Sequence, residues 1–384
     1  MFYRLLFSLI LLVLVEGLAL GQNVELVGMG AFPGDATDLS ALAGTLETGT
    51  PFNQLGGFSA IEYTGEGNRY LVLSDRGPGD GAASFPCRFH EIELQLNLES
   101  RQLIPQLLKT TLLRSSQDEL LSGALCAVNE FGNDGHSLAL DGEGLRLLND
   151  RTLLISEEYG PSISVFGQDG RRLKPFAIPA EFRLSASPEA PDAQGTFPNR
   201  GLEGLALSVD GRQVLSVMQG PLIQDGRIVD GKCLGLATRW LCIDRIDGST
   251  KQFLYPLTDE SSGVSEILAF DETRYLVLER DSKSGVEAKV KRIYLADVHE
   301  ASDVSELASL RQTNDHDISP VSKHLLIDLL DDRFQLSGER APEKPEGLCW
   351  GPVLPDGRRM LIVCVDNDFE SNRSSEFLVF AVEP

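Results

Sequence analysis

One short unit returns five times along the chain: a first strand opening with Gly, Ser or Glu, a turn, and a strongly apolar second strand that ends in polar residues. The copies are GGFSAIEY with YLVLSDRG, GEGLRLL with TLLISEEYG, GLEGLALS with VLSVMQG, GVSEILAF with YLVLERD, and PEGLCWG with LIVCVDNDF. Each is followed by at least one more strand-like run, namely CRFHEIELQL, PSISVFG, TRWLCIDRI, VKRIYLADV and SEFLVFAVE. Asp-Gly pairs at Asp141, Asp169, Asp210, Asp247 and Asp356 mark tight turns, and helix periodicity is confined to small pieces such as 302–311. Small antiparallel sheets repeated along one chain bury their faces against one another when set radially. The expected fold is therefore all-β, a β-propeller of five or six antiparallel blades. The last repeat is one strand short, and NVELVGMGAFP near the N-terminus supplies it and closes the ring. A sixth blade has room only in 115–141, 181–199 or 301–345, and the competing architecture is an array of two-sheet sandwiches.

Folding each repeat about its turn gathers charge at one end. Glu143 falls beside Ser156 and Glu157, Glu203 beside Met218 and Gln219, Glu266 opposite Glu279, Glu346 opposite Asn367, and Ser59 near Asp75. In a propeller those ends encircle one mouth of the central channel. Glu157 and Glu158 are adjacent, so both face the mouth only where the strand has become loop, as Gly160-Pro161 suggests. Crowded carboxylates raise one another's pKa unless something positive lies among them. Calcium, with six to eight oxygen ligands in loose geometry, suits such a ring. The expected metal ligands are Glu143, Glu203, Glu266, Glu279, Glu346, Asp366, Asn367 and Asp368, and the expected catalytic carboxylates are Asp75, Glu157 and Glu158. Arg76, Arg200 and Arg280 lie beside these acids and suit an anionic substrate, since a guanidinium binds phosphate through two parallel bonds. The competing reading pairs the acids with Arg76, Arg200, Arg280 and Lys344 and leaves no metal. Zinc is disfavoured, because the five histidines have no ligand spacing.

A formal charge of −23 argues against nucleic acid and anionic lipid as partners and favours cations. Arg4, the apolar run from Leu5 to Val15 and the small residues Ala19-Leu20-Gly21 form an export signal over 1–21, leaving 22–384 as one secreted or periplasmic domain with no membrane span. Six cysteines in an exported chain suggest disulfides. Symmetry about Asp356-Gly357 pairs Cys349 with Cys364, symmetry about Ala237-Thr238 pairs Cys233 with Cys242, and Cys87 and Cys126 remain.

The stretches GGFSAIEY, LVLSDRGPG, DGEGL, ISEEYGP, NRGLEGLALSVDG, LVLERD, PEGL and VDNDF, in this order from about residue 56 to 369, resemble the phytase-like domain family, described as having esterase-like activity. The resemblance implies an exported propeller-like protein whose acidic residues carry phosphoesterase chemistry. It extends to Asp75, Arg76, Glu143, Glu157, Glu158, Glu203, Glu279, Arg280, Glu346, Asp366, Asn367 and Asp368. The expectation is a calcium-dependent phosphoesterase that attacks a small anionic phosphate ester or diester with metal-activated water. Gln219 stands where the other repeats end in acid, which breaks the symmetry of the ring. The alternatives are a non-catalytic, calcium-stabilised binding module and a calcium-dependent lactonase or esterase. A serine hydrolase at Gly135-His136-Ser137-Leu138-Ala139 is disfavoured, because a turn and hairpin follow where the nucleophile elbow needs a helix.

Overall fold

The computed structural model describes residues 24–190, 192–311 and 318–383; the expected export signal lies outside them. Five antiparallel four-stranded units follow one another. The first comprises Phe58–Tyr63, Arg69–Ser74, Arg88–Asn97 and Gln102–Leu112, and the second Gly142–Leu147, Leu153–Glu157, Ser162–Phe166 and Arg172–Pro175. The third comprises Leu202–Leu207, Gln213–Met218, Ala237–Asp244 and Thr250–Pro256, and the fourth Gly263–Ala269, Arg274–Arg280, Lys291–Asp297 and Ser322–Asp328. The fifth takes Lys344–Trp350, Arg359–Asp366 and Ser375–Val382 from the C-terminal end and Val24–Phe32 from the N-terminal end. Val24 lies opposite Val382 and Phe32 opposite Ser375, so the N-terminal strand closes the ring as expected. One parallel residue pair, Met29 with Gln102, joins the fifth unit to the first.

Burial explains the repeat. Leu153–Glu157 is buried at every residue, whereas Arg172–Pro175, at the outer edge of the same sheet, is exposed beyond its first. Strands covered on both faces read as continuous apolar runs instead of alternating ones. Five apolar clusters fill the spaces between consecutive units. Leu73 meets Ile155, Leu154 meets Leu205, Val217 meets Ile267, Leu278 meets Leu348, and Ile362 of the fifth unit shares a cluster with Phe58 of the first. A cluster between last and first is what a ring has and a row of sandwiches lacks, so the fold is a β-propeller. The described residues of segments 115–141 and 181–199 hold only short 3₁₀ turns and isolated bridges, and 302–311 turns without forming a helix. Segment 301–345 supplies Ser322–Asp328 to the fourth unit, and no sixth four-stranded sheet occurs among the described residues.

The innermost strands meet at the axis, and Arg146 of the second unit crosses it. Its Nη2 donates to the Ile267 carbonyl at 2.8 Å and pairs with Glu266 at 3.0 Å, and its Nη1 lies 3.5 Å from Glu62. Longer bonds of 3.4 Å reach the carbonyls of Ile61 and Leu348, so one guanidinium ties four units together. Removing one partner of a buried ion pair strands the other, at a cost of roughly 3–5 kcal/mol. Denaturant unfolding of Arg146→Met should show a loss of that size; a loss under about 1 kcal/mol would mean the axis does not depend on this residue.

The expected disulfides are corrected by the structure, in which all six cysteines are free. A register shift at Glu346 sets Cys364 opposite Gly347 and Cys349 opposite Ile362, so the two are diagonal neighbours and not a facing pair. Cys233 belongs to a separate hairpin, Arg227–Val229 with Lys232–Leu234, and Cys242 to the third unit. Cys87 is buried and Cys126 exposed.

Candidate active site at the propeller mouth

Every innermost strand breaks register with its neighbour once, at the same relative position. The shifts fall at Ser59, at Glu143, between Leu202 and Leu205, at Ser265 and at Glu346. A bulge sets two residues against one and re-aims a side chain out of the pleat. Here the re-aimed side chains are Ser59, Glu143, Glu203, Ser265 and Glu346, and all five line one cavity of about 230 Å³ at the mouth. The glycine after each bulged glutamate has its own cause. A Cβ on Gly204 would lie 2.7 Å from the Ile267 nitrogen, and one on Gly347 2.8 Å from the Ile61 nitrogen. The recurring Glu-Gly pair thus couples a side chain aimed into the mouth with close approach of strands at the axis.

Of the residues expected from sequence, Asp75, Arg76, Glu143, Glu158, Arg200, Glu203, Arg280, Glu346 and Asp366 line the cavity together. The others do not. Glu157 accepts bonds from the Tyr159 and Gly160 amides at 3.0 and 2.8 Å and so turns back into its own loop. Glu266 lies one residue beyond the bulge, opposite Leu278, and faces Arg146 at the axis; the Glu279 backbone is opposite Val264. Glu279 accepts from the Tyr255 hydroxyl at 2.7 Å and from Lys323. Asn367 accepts from the Gly57 amide at 3.0 Å and donates to the Arg373 carbonyl at 3.1 Å. Asp368 is held by Lys344. Among the described residues the Ser137 hydroxyl bonds the Val128 carbonyl at 3.3 Å and no histidine, so the serine-hydrolase geometry is not formed there.

Asp141 was not legible as a site residue, because Asp-Gly there read only as a turn. It is fully buried, and its carboxylate accepts from the Arg76 amide at 3.1 Å and from Arg76 Nη1 at 2.6 Å. Asp141, Glu143 and Glu158 each place one carboxylate oxygen within 4.8 Å of the others. Its position just before the opening strand, two residues from Glu143, was the available signal.

Seven carboxylates line the cavity against four cationic side chains. Burial first, then Glu203 and Asp141, hold Glu143 well above the usual carboxylate range; burial, then Glu158 and Glu346, do the same to Glu203. Asp75 is raised well above its ordinary value by burial and by Asp366 and Asp141. Burial pushes Glu158 up to about 7, with Asp141 adding and Arg76 opposing, and pushes Asp366 up to about 6 against the pull of Lys344. Arg76 pairs with Asp141 and, at 3.6 Å, with Glu158; Arg280 grips Glu346 through two bonds; Lys344 is shared by Asp366 and Asp368. Two groups are left over: among the described residues neither the Glu143 carboxylate nor the Arg200 guanidinium has a hydrogen-bond or ion-pair partner.

Fold and site together define a β-propeller with a polar, acid-rich mouth. The chain belongs to the phytase-like family, described as esterase-like activity of phytase, whose profile matches residues 53–369. An uncharacterized secreted protein of Arthroderma benhamiae is 28% identical over 221 residues, covering 48% of this chain and 41% of the relative, so the matched part spans well under half of that protein. Among solved structures, a luciferin-regenerating enzyme superposes with a TM-score of 0.39 at 11% identity, covering 86% of this chain and 96% of that one. The PQQ-bound aldose sugar dehydrogenase of Streptomyces coelicolor gives 0.37 at 11%, covering 93% and 99%. The Dos1 propeller gives 0.33 at 8%, covering 87% and 70%.

Proposed function

We propose that this chain is an exported, calcium-dependent phosphoesterase whose reaction takes place in the mouth cavity. The observation that carries the reading is the convergence of Glu143 and Glu158 with Arg76, Arg200 and Arg280 in one cavity, with a carboxylate oxygen of the buried Asp141 within 4.8 Å of both glutamates. Membership of the phytase-like family supports ester hydrolysis, and the secreted relative supports export. Among the described residues no helix is long and apolar enough to cross a membrane.

The donor set fits a hard cation. The trio offers only carboxylate oxygen, and among the described residues no histidine or cysteine lines the cavity and Glu143 has no ion pair of its own, although Arg76 and Arg280 feel its charge. Asp141, Glu143 and Glu158 would hold calcium, with Glu203 and Glu346 near enough to add to the field. When bound, calcium supplies Lewis acidity, polarising a phosphoryl oxygen and acidifying water. The chain's own groups do the rest. Arg200 binds a non-bridging phosphate oxygen. Asp75 faces the cavity and accepts the Gly77 amide at 2.8 Å, which fixes its orientation; burial, Asp366 and Asp141 raise its proton affinity, as a general base needs. Glu203, whose pKa is raised by burial and by Glu158 and Glu346, is placed to give a proton to the departing oxygen. Arg76 fixes the loops around the mouth by joining Asp141, Asn199 and Asp80.

The test is hydrolysis of 4-nitrophenyl phosphate and bis(4-nitrophenyl) phosphate by purified protein, with calcium and with excess chelator. Turnover that chelator abolishes and calcium restores is expected. Tight calcium binding without turnover would replace this reading with the binding module.

A further inference from the structure

Resting on the phosphoesterase reading, we infer that the substrate is a phosphodiester carrying a single negative charge, and that Arg200 selects it. Three of the four cationic side chains in the cavity are already committed to carboxylates: Arg76 to Asp141 at 2.6 Å, Arg280 to Glu346, and Lys344 to Asp366 and Asp368. Among the described residues Arg200 alone of the four has no hydrogen bond or ion pair, although it lies near enough to Glu158 to lower that group's pKa. One free guanidinium matches one anionic phosphate, and its fork takes the two non-bridging oxygens of a diester.

With the two charges of calcium taken up by the three carboxylates Asp141, Glu143 and Glu158, further negative charge finds no uncommitted cation beyond Arg200. A monoester dianion or an inositol polyphosphate would meet seven lining carboxylates and a chain of formal charge −23, and like charges held close in a cavity repel strongly. Volume points the same way. About 230 Å³ is below the roughly 300–1,000 Å³ that encloses a drug-sized ligand, so the cavity takes the phosphate and its first substituent atoms while the ester groups project through the mouth. A neutral ester or lactone would leave Arg200 without a partner.

The step balances without a co-reactant. Water oxygen bonds to phosphorus as the bond from phosphorus to one ester oxygen breaks. The water proton goes to Asp75, and the departing oxygen takes a proton from Glu203, giving an alcohol and a phosphomonoester. Once its remaining P–OH proton is lost to solvent, the monoester is a dianion and bears more charge than the diester did, so the same carboxylates favour its release and stop the reaction there.

Steady-state kinetics on full-length protein in saturating calcium, with bis(4-nitrophenyl) phosphate, 4-nitrophenyl phosphate, inositol hexakisphosphate and phenyl acetate, test this. The diester is expected to have the highest kcat/KM, exceeding the monoester by about 10-fold or more. Arg200→Gln should raise KM for the diester about 10-fold or more with a smaller change in kcat, and Arg200→Lys should recover part of it. Among the described residues the Arg200 side chain makes no hydrogen bond or ion pair, so a thermal melt unchanged from wild type is expected and keeps the variant interpretable. Faster turnover of monoester or inositol hexakisphosphate, or an unaltered KM in Arg200→Gln, would overturn the diester assignment and leave the phosphoesterase reading standing. Turnover of phenyl acetate alone, or of nothing in the panel, would overturn both.

Discussion

Asp75→Asn is expected to lower phosphoester turnover by roughly 10²–10⁴-fold, the range a positioned general base contributes, while calcium affinity stays within a few-fold of wild type. Asn keeps the oxygen that accepts the Gly77 amide, so the loop after Arg69–Ser74 is preserved and only the proton acceptor is lost. Glu143→Gln should behave differently. Its carboxylate is the unpartnered member of the trio, so both calcium affinity and turnover fall. Equal loss of calcium affinity in the two variants would place Asp75 among the ligands and remove it as base. Unchanged turnover in Asp75→Asn would remove it from the reaction.

Calcium should also reverse the pH dependence of stability. In calcium-free protein Glu158 has its pKa raised to about 7, and Asp75, Glu143 and Glu203 lie well above their ordinary values, with burial the leading cause in each. For a carboxylate whose folded pKa exceeds its unfolded value, the folded state holds the extra proton. The stability this brings is complete below the unfolded value near 4.5 and is lost as pH rises through about 7. Calcium-free protein should therefore lose thermal stability between about pH 5 and pH 8. Bound calcium stabilises the ionised carboxylates, so its effect grows with pH: about 2.7 kcal/mol at 100 times Kd and pH 8, and much less at pH 5. Scanning calorimetry at both pH values, with and without calcium, reads this directly. A calcium shift larger at pH 5 than at pH 8 would contradict the assigned cluster.

The ring and its closure were readable because burial on both faces leaves a plain trace: YLVLS, LLISE and LIVCV are continuous apolar runs wherever the second strand of a unit lies between two neighbours. The convergence of Glu143, Glu203 and Glu346 was readable from hairpin symmetry, although its cause, a bulge at each, was not. A one-residue bulge carries no compositional mark, yet it moves every following side chain to the other face. That is why Glu266 turned to Arg146 while Ser265 took its place at the mouth, and why Cys349 and Cys364 miss each other. Glu157 and Glu158 were indistinguishable by residue type; the Gly160 amide settles which turns away. Asp141 was hidden by the ambiguity of Asp-Gly, which serves a turn elsewhere and a buried carboxylate here.

Isothermal titration of calcium into chelator-stripped protein at pH 8 tests the central claim most directly. Wild type should bind saturably and release protons, seen as heat that scales with the ionisation enthalpy of the buffer, and Glu143→Gln should bind at least about 10-fold more weakly. Absence of saturable heat in wild type, or an isotherm that Glu143→Gln leaves unchanged, would contradict the account.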